Sequence, residues 1–163
     1  MWMQKKYQAG VTLIEVMVVI TVIAIATVLA VPSMHSLFVR SKLKSSVNDM
    51  SSAIMLAKNE AIRRNMPVSL CPVQASADTC GGNSDWNNGF LIFESGNILH
   101  TKHFNDDRNL TSTLAGLTFS PRGTLTATSQ ITINSPDCDV DSYAINISRF
   151  GDVDVGEVSC ESA

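Results

Sequence analysis

The stretch KKYQAGVTLIEVMVVITVIAIATVLAVP, Lys5 to Pro32, decides how the rest of the chain is read. Apolar residues run from Val11 to Val31, yet Glu15 stands among them with no Lys, Arg or His on its own turn of helix. From Val16 to Val39 there is no charged residue at all. At about 1.5 Å per residue the run Val11–Val31 forms a helix of ~32 Å, the thickness of a hydrocarbon core. A charge at such depth costs roughly 2.5–3.5 kcal/mol on insertion scales, so Glu15 asks for a counter-charge. A secretory signal peptide would show a shorter apolar region followed by a small-x-small cleavage site. Here the small pair Ala9-Gly10 precedes the apolar run and follows Lys5 and Lys6. Cleavage there leaves the hydrophobic segment on the mature protein. The lysines ahead of the span predict a cytoplasmic start, with the remainder across the membrane.

The 163 residues suffice for one domain plus this appendage. The net charge of -3 hides an asymmetry: residues 1–65 hold eight Lys/Arg against three Asp/Glu, whereas residues 66–163 hold four against twelve. An acidic C-terminal part argues against an unaided grip on a polyphosphate.

After Pro32 the pattern turns amphipathic. Leu43, Val47, Met50, Ile54, Ala57 and Ala61 recur at spacings of four and three, one face of a helix. Arg40, Lys42, Lys44, Asp49, Lys58 and Glu60 fall mostly off that stripe. This predicts one helix from about Thr12 to about Arg64, kinked at Pro32, where a backbone donor is missing. Asn65 and Pro67 should end it. Met50 and Met55 are read as core packing. Seven short stretches then read as strands: PVSLC (67–71), GFLIF (89–93), NILHTKHF (97–104), GLTFS (116–120), SQITIN (129–134), YAINIS (143–148) and DVDVGEVSC (152–160). The predicted class is α+β, a long N-terminal helix packed on an antiparallel β-sheet head.

Cys71, Cys80, Cys138 and Cys160 all lie beyond the apolar segment. An even count in an exported head reads as disulfides, with three connectivities open. The sequential pairing Cys71–Cys80 and Cys138–Cys160 is favoured because each bond closes a local loop. A zinc site is the rival reading, but C-x-x-C spacing is missing and the compartment is oxidising.

Lys-Lys-x-x-x-Gly followed by V-T-L-I-E-V resembles the leader of type IV prepilins and type II secretion pseudopilins. The resemblance implies that a prepilin peptidase cuts between Gly10 and Val11 and that the new amino group on Val11 is methylated. Glu15 would then be the fifth residue of the mature chain, the signature carboxylate of these proteins, and Pro32 their helix-kinking proline. Val11 stands where Phe is commoner. The head adds to this: RRNMPVSLCP, a Trp-x-x-Gly strand entry at Trp86, LTFSPRGTL and ISRFGDVDVGEVSC resemble the GspH/FimT/FimU branch of minor pilins and pseudopilins. The implied domains are a leader at 1–10, a transmembrane assembly helix at 11–31, an amphipathic periplasmic helix at 32–65 and a disulfide-bonded head at 66–163. The implied protein is a minor pilin that waits in the inner membrane with its head in the periplasm, then primes or caps a filament tip. The alternatives are a GspH-like pseudopilin for secretion and a FimT-like DNA receptor. Implied partners are other minor pilins, the major pilin, the prepilin peptidase and membrane lipid.

Physics then gives Glu15 a role. The amine on Val11 is cationic and lies in the same apolar layer. Within one chain the helix dipole favours a carboxylate in the first turn. Between chains, Glu15 can meet the amine of an incoming subunit and fix its register, both charges being compensated together.

Other candidates weigh less. DNA-binding FimT members carry Gly-Arg-x-Arg near the C-terminus, where this chain has Gly151-Asp152-Val153-Asp154. Phosphate contacts need cations, so DNA is not an expected partner. Asp137, Asp139 and Asp141 alternate around Cys138 in a partial calcium-loop pattern, without the glycine and closing Glu of a full one. No resident cofactor is expected, calcium being the one weak candidate. His100 and His103 point to opposite faces of a strand, Ser69 and Ser120 lack a base and an orienting acid, and Trp86 reads as a core anchor. No enzyme motif is recognised.

Overall fold

Thr12 sets where the helix begins. Its Oγ1 accepts from the Glu15 amide at 3.3 Å, and its carbonyl accepts from the amides of Glu15 and Val16 at 3.1 and 3.3 Å. It is therefore the N-cap of α1, Leu13–Arg64. The other end is closed by backbone geometry. Asn65 takes a left-handed φ of 54°. Its amide donates to the Ile62 carbonyl at 3.2 Å, and the Met66 amide reaches back to Ala61 at 3.3 Å. That 6→1 and 5→2 pair is a Schellman stop with Asn at C′, and Arg63 and Arg64 complement the dipole in the last turn.

The computed structural model describes residues 10–104, 109–112, 115–135 and 140–159, and in α1 it describes residues 28–33 and 35 by their backbone alone. Two compact units result, Met1–Leu37 and Phe38–Ala163. In the first, α1 is apolar all round and exposed, from Leu13 at 79% through Ile20 and Ile25. The helix continues through Pro32; the kink expected there falls on residues whose side chains lie outside the described ones.

In the second unit, α1 buries one stripe. Leu43, Val47, Met50, Ile54, Ala57 and Ala61 are all buried, joined by Ala53. Met55 departs from expectation: one step beyond Ile54, it turns off the stripe and is 51% exposed.

Among the described residues nine strands follow: β1 Val68–Gln74, β2 Ala77–Cys80, β3 Gly89–Glu94, β4 Asn97–His103, β5 Leu110–Ser112, β6 Leu117–Phe119, β7 Ser129–Ile133, β8 Ser142–Ile147 and β9 Val153–Val158. The first sheet runs β2-β1-β3-β4, with β6 also paired to β1; the second runs β5-β7-β8-β9. All pairs are antiparallel. Pro72 is tolerated inside β1 because it stands where β6 pairing has stopped at Leu70 and β2 pairing has not begun before Val73. Its carbonyl is used, accepting from Gly81 at 2.8 Å.

One core joins the helix stripe to both sheets. Val68, Leu70, Phe90 and Ile92 come from the first sheet, Ile131, Ile133, Ile145 and Ile147 from the second. Trp86, fully buried in the 3-10 turn Asn83–Asn88, anchors it as expected. Cys71, Val73 and Leu91 form a small patch on the other face of the first sheet, with Phe93 against it. The seven strands read from the sequence are all present. The two missed, β2 and β5, are four and three residues long, and β2 is exposed throughout, so neither carries an alternating pattern.

Candidate functional site

The N-terminal motif is built by a cap. Thr12-Leu13-Ile14-Glu15 places a threonine at N-cap and a carboxylate three residues on, where unpaired amides and the dipole favour negative charge. Val11, just outside the helix, is 71% exposed, and a Cβ on Gly10 would touch nothing within 4 Å. Beyond Glu15 the polar atoms are neutralised internally: the Thr21 and Thr27 hydroxyls each donate to the carbonyl three residues back, Val18 and Ala24, at 2.8 Å. The outer surface is thus a rod of Val, Ile, Leu and Met whose hydroxyls need no water. A contiguous exposed apolar surface of this kind marks an interaction site. Among the described residues no helix is long and apolar enough to cross a membrane.

A second construction ties α1 to the last hairpin of the head. Ser120-Pro121-Arg122-Gly123 and Ser148-Arg149-Phe150-Gly151 are the same turn built twice. In each, the Gly amide donates to the Ser carbonyl (2.8 and 2.9 Å). The Ser amide donates to the carbonyl four residues on, Thr124 and Asp152, at 2.9 Å in both. The Ser hydroxyl accepts from the amides two and four residues ahead, at 3.2–3.3 Å. The turns lean on each other through Leu125 N–H to Arg149 carbonyl at 2.8 Å. Both glycines are left-handed, φ 74° and 71°, and a Cβ on Gly151 would sit 2.6 Å from the Gly123 carbonyl oxygen. Lys58 seals the seam, its Nζ donating to the Gly151 carbonyl at 3.1 Å and lying 3.5 Å from Asp152.

Other ion pairs pin the helix to the first sheet. Lys102 of β4 meets Asp49 at 2.7 Å, and Arg64 meets Glu94 of β3 at 3.2 Å. Glu60 accepts from Arg63 and Arg64, each at 2.6 Å. Hydrogen bonds from Arg63 first and Arg64 second hold its carboxyl below the usual range, and Glu60 in turn raises Arg64. Burial, with Glu157 nearby, pushes the Tyr143 phenol up.

The remaining sequence candidates fall as follows. Cys71 and Cys80 are bonded, linking β1 to β2. Cys138 and Cys160, with their expected pairing, lie outside the described residues, as do Asp137 and Asp139. Asp141 is exposed, and among the described residues no group of three or more His, Cys, Asp and Glu could hold a metal ion. His103 pairs with Asp78 of β2 at 2.9 Å, while His100 stacks near Phe90 with ring centroids 6.1 Å apart. Asp152 and Asp154 are exposed at the start of β9. Sequence reasoning missed the twin turns and the reach of Lys58. The repeated Ser-x-x-Gly at 120–123 and 148–151 was the signal that could have found the turns.

Residues 46–151 match the family described as Type II transport protein GspH. Residues 5–31 match the prokaryotic N-terminal methylation motif. Curated proteins yield no match. Two crystal structures of the type IV minor pilin FimU from Pseudomonas aeruginosa (strain PAO1) are similar. The P21 form gives a TM-score of 0.58 at 21% identity, covering 72% of this chain and 90% of that one. The P65 form gives 0.52 at 22%, covering 70% and 92%. At that identity the likeness concerns the fold.

Proposed function

The chain belongs to the GspH family of type II transport proteins, a family of minor pilins and pseudopilins, and from that premise we propose that it is a minor pilin of a type IV pilus, inserted in the inner membrane and priming or capping the filament. One observation carries the reading: a rod of exposed apolar residues, bearing a single carboxylate at its capped start, continues into a head whose core is already complete. The exposed rod would serve between chains, first in lipid and then against the helices of neighbouring subunits. Cleavage after Gly10 exposes an amine on Val11, and the Glu15 carboxylate of the adjoining subunit compensates it. Removing one member of such a buried pair costs about 3–5 kcal/mol, enough to exclude a subunit from the filament.

Glu15→Ala tests this directly. Membrane fractionation should find the variant inserted as the natural protein is, while sheared filaments should lack it on immunoblots. Normal incorporation refutes the proposal. Mass spectrometry should find a mature chain that begins at a methylated Val11; an uncut chain that still functions would refute it too.

The description of the matched family supports a second reading, a minor pseudopilin of a secretion machine, served by the same anchor. A deletion strain separates the two: loss of twitching with normal secretion supports the pilus, the reverse supports the pseudopilus. Transformation measured on the same strain covers DNA reception, which the acidic Gly151-Asp152-Val153-Asp154 segment does not favour.

A further inference from the structure

Among the described residues, strand β9 is the last strand of the second sheet, paired on one side with β8. That pairing runs without a shift from Ser142↔Val158 to Ile147↔Val153. Natural sheets blunt such edges with Lys, Pro, bulges or brevity. The other edges among the described strands do so. β4 has a register shift against Ile92/Phe93 and carries Lys102, while β2, β5 and β6 are four, three and three residues long. β9 reads Val-Asp-Val-Gly-Glu-Val, six residues with no Lys, Pro or register shift; its charges are acidic, Asp154 on the outer face and Glu157 on the helix side, where it accepts from the Tyr143 hydroxyl at 3.3 Å.

Beside it lies a groove of about 440 Å³ between the strand and α1, lined among others by Ser51, Met55, Lys58, Val153 and Val155. Val153 and Val155 face the helix side, because their partners Ile147 and Ile145 are buried in the core. Even so, Val155 is 42% exposed, as is half of Met55. Ser51 Oγ is buried without a hydrogen-bond partner among the described residues. Asp154, opposite exposed Asn146, points the other way. Asp152 keeps most of its carboxylate in water despite Lys58.

We propose that β9 is a docking edge that accepts an extended strand from a protein partner, with alternate residues apolar toward Met55 and Val155 and cationic toward Asp152 and Asp154. Main-chain hydrogen bonds would supply the pairing, and the two faces its specificity. A second copy of this chain is a poor match, because Asp152, Asp154 and Glu157 make the edge acidic and two such edges brought together repel. The inference stands on the head and does not depend on which machine the chain serves.

The test uses the full chain in detergent micelles and three short synthetic peptides. One alternates Val and Lys, one alternates Val and Glu, and one is the Val/Lys peptide N-methylated on alternate amides. Fluorescence anisotropy should show the Val/Lys peptide binding at least about tenfold tighter than either of the others, with affinity falling as salt is raised. Asp154→Lys, on an exposed site that leaves the fold intact, should lower that affinity roughly tenfold. Amide exchange should slow in β9 when the peptide is bound. Equal binding of the N-methylated or Val/Glu peptide, protection elsewhere on the head, or a dimer of the chain that Asp154→Lys dissociates would each overturn the proposal.

Discussion

The two stretches of α1 share a backbone and little else. From residue 43 onward the helix hides one stripe against two sheets, and several of its charged residues are paired: Asp49 with Lys102, Lys58 with the Gly151 carbonyl, Glu60 with Arg63 and Arg64. Around Ile20 it offers apolar side chains in every direction, and its polar atoms turn inward to its own carbonyls. Helicity is thus achieved twice for different reasons. In the head, tertiary packing holds an amphipathic segment that would be marginal alone. In the other stretch a cap starts the helix and the apolar side chains stand exposed on every side.

The largest expected effect that could break this contrast comes from Trp86. Trp86→Ala should lower head stability by about 3–5 kcal/mol in denaturant titrations of the full chain in micelles. Ile20→Ala should leave the same midpoint in place; a shift there would mean that the stretches are not energetically separate. Next, Cys71→Ala with Cys80→Ala should cost about 2–4 kcal/mol by the same measurement, since the bond constrains the unfolded chain. Gly151→Ala should cost about 1–3 kcal/mol through its left-handed backbone and the nearby Gly123 carbonyl, while exposed Arg122→Ala stays within about 0.5 kcal/mol. The smallest effect is Glu60. Its folded carboxyl titrates lower than in the unfolded chain, so its contribution is whole at neutral pH and disappears as pH falls from the ordinary Glu range through the depressed value. Glu60→Gln should flatten that acid limb slightly, as suits a surface cluster.

Much of this could be read from the order of residues. The stripe Leu43 to Ala61 named the buried helix face because period and burial are the same fact in an amphipathic helix. Seven strands showed themselves by β-branched residues between turn formers. Asn65 gave the helix end, though not the Schellman bonds that explain it. Gly10, Val11 and Glu15 were legible as a motif because their chemistry depends on spacing along the chain. Met55 was misjudged because a residue beside a stripe is buried only if something covers that flank. The β9 groove was invisible for a related reason: which strand ends a sheet is decided by pairings such as β1 with β6, far apart in sequence. Local pattern carries no record of them.

The bond from Lys58 to Gly151 spans 93 positions. At a ribosome's pace of about 5–20 residues per second the acceptor arrives roughly 5–20 s after its donor. For that interval Met50, Ile54 and Ala57 have no complete roof. A nascent chain must therefore keep this sticky flank from its neighbours until the β8–β9 hairpin snaps shut, a burden written into the order of the fold.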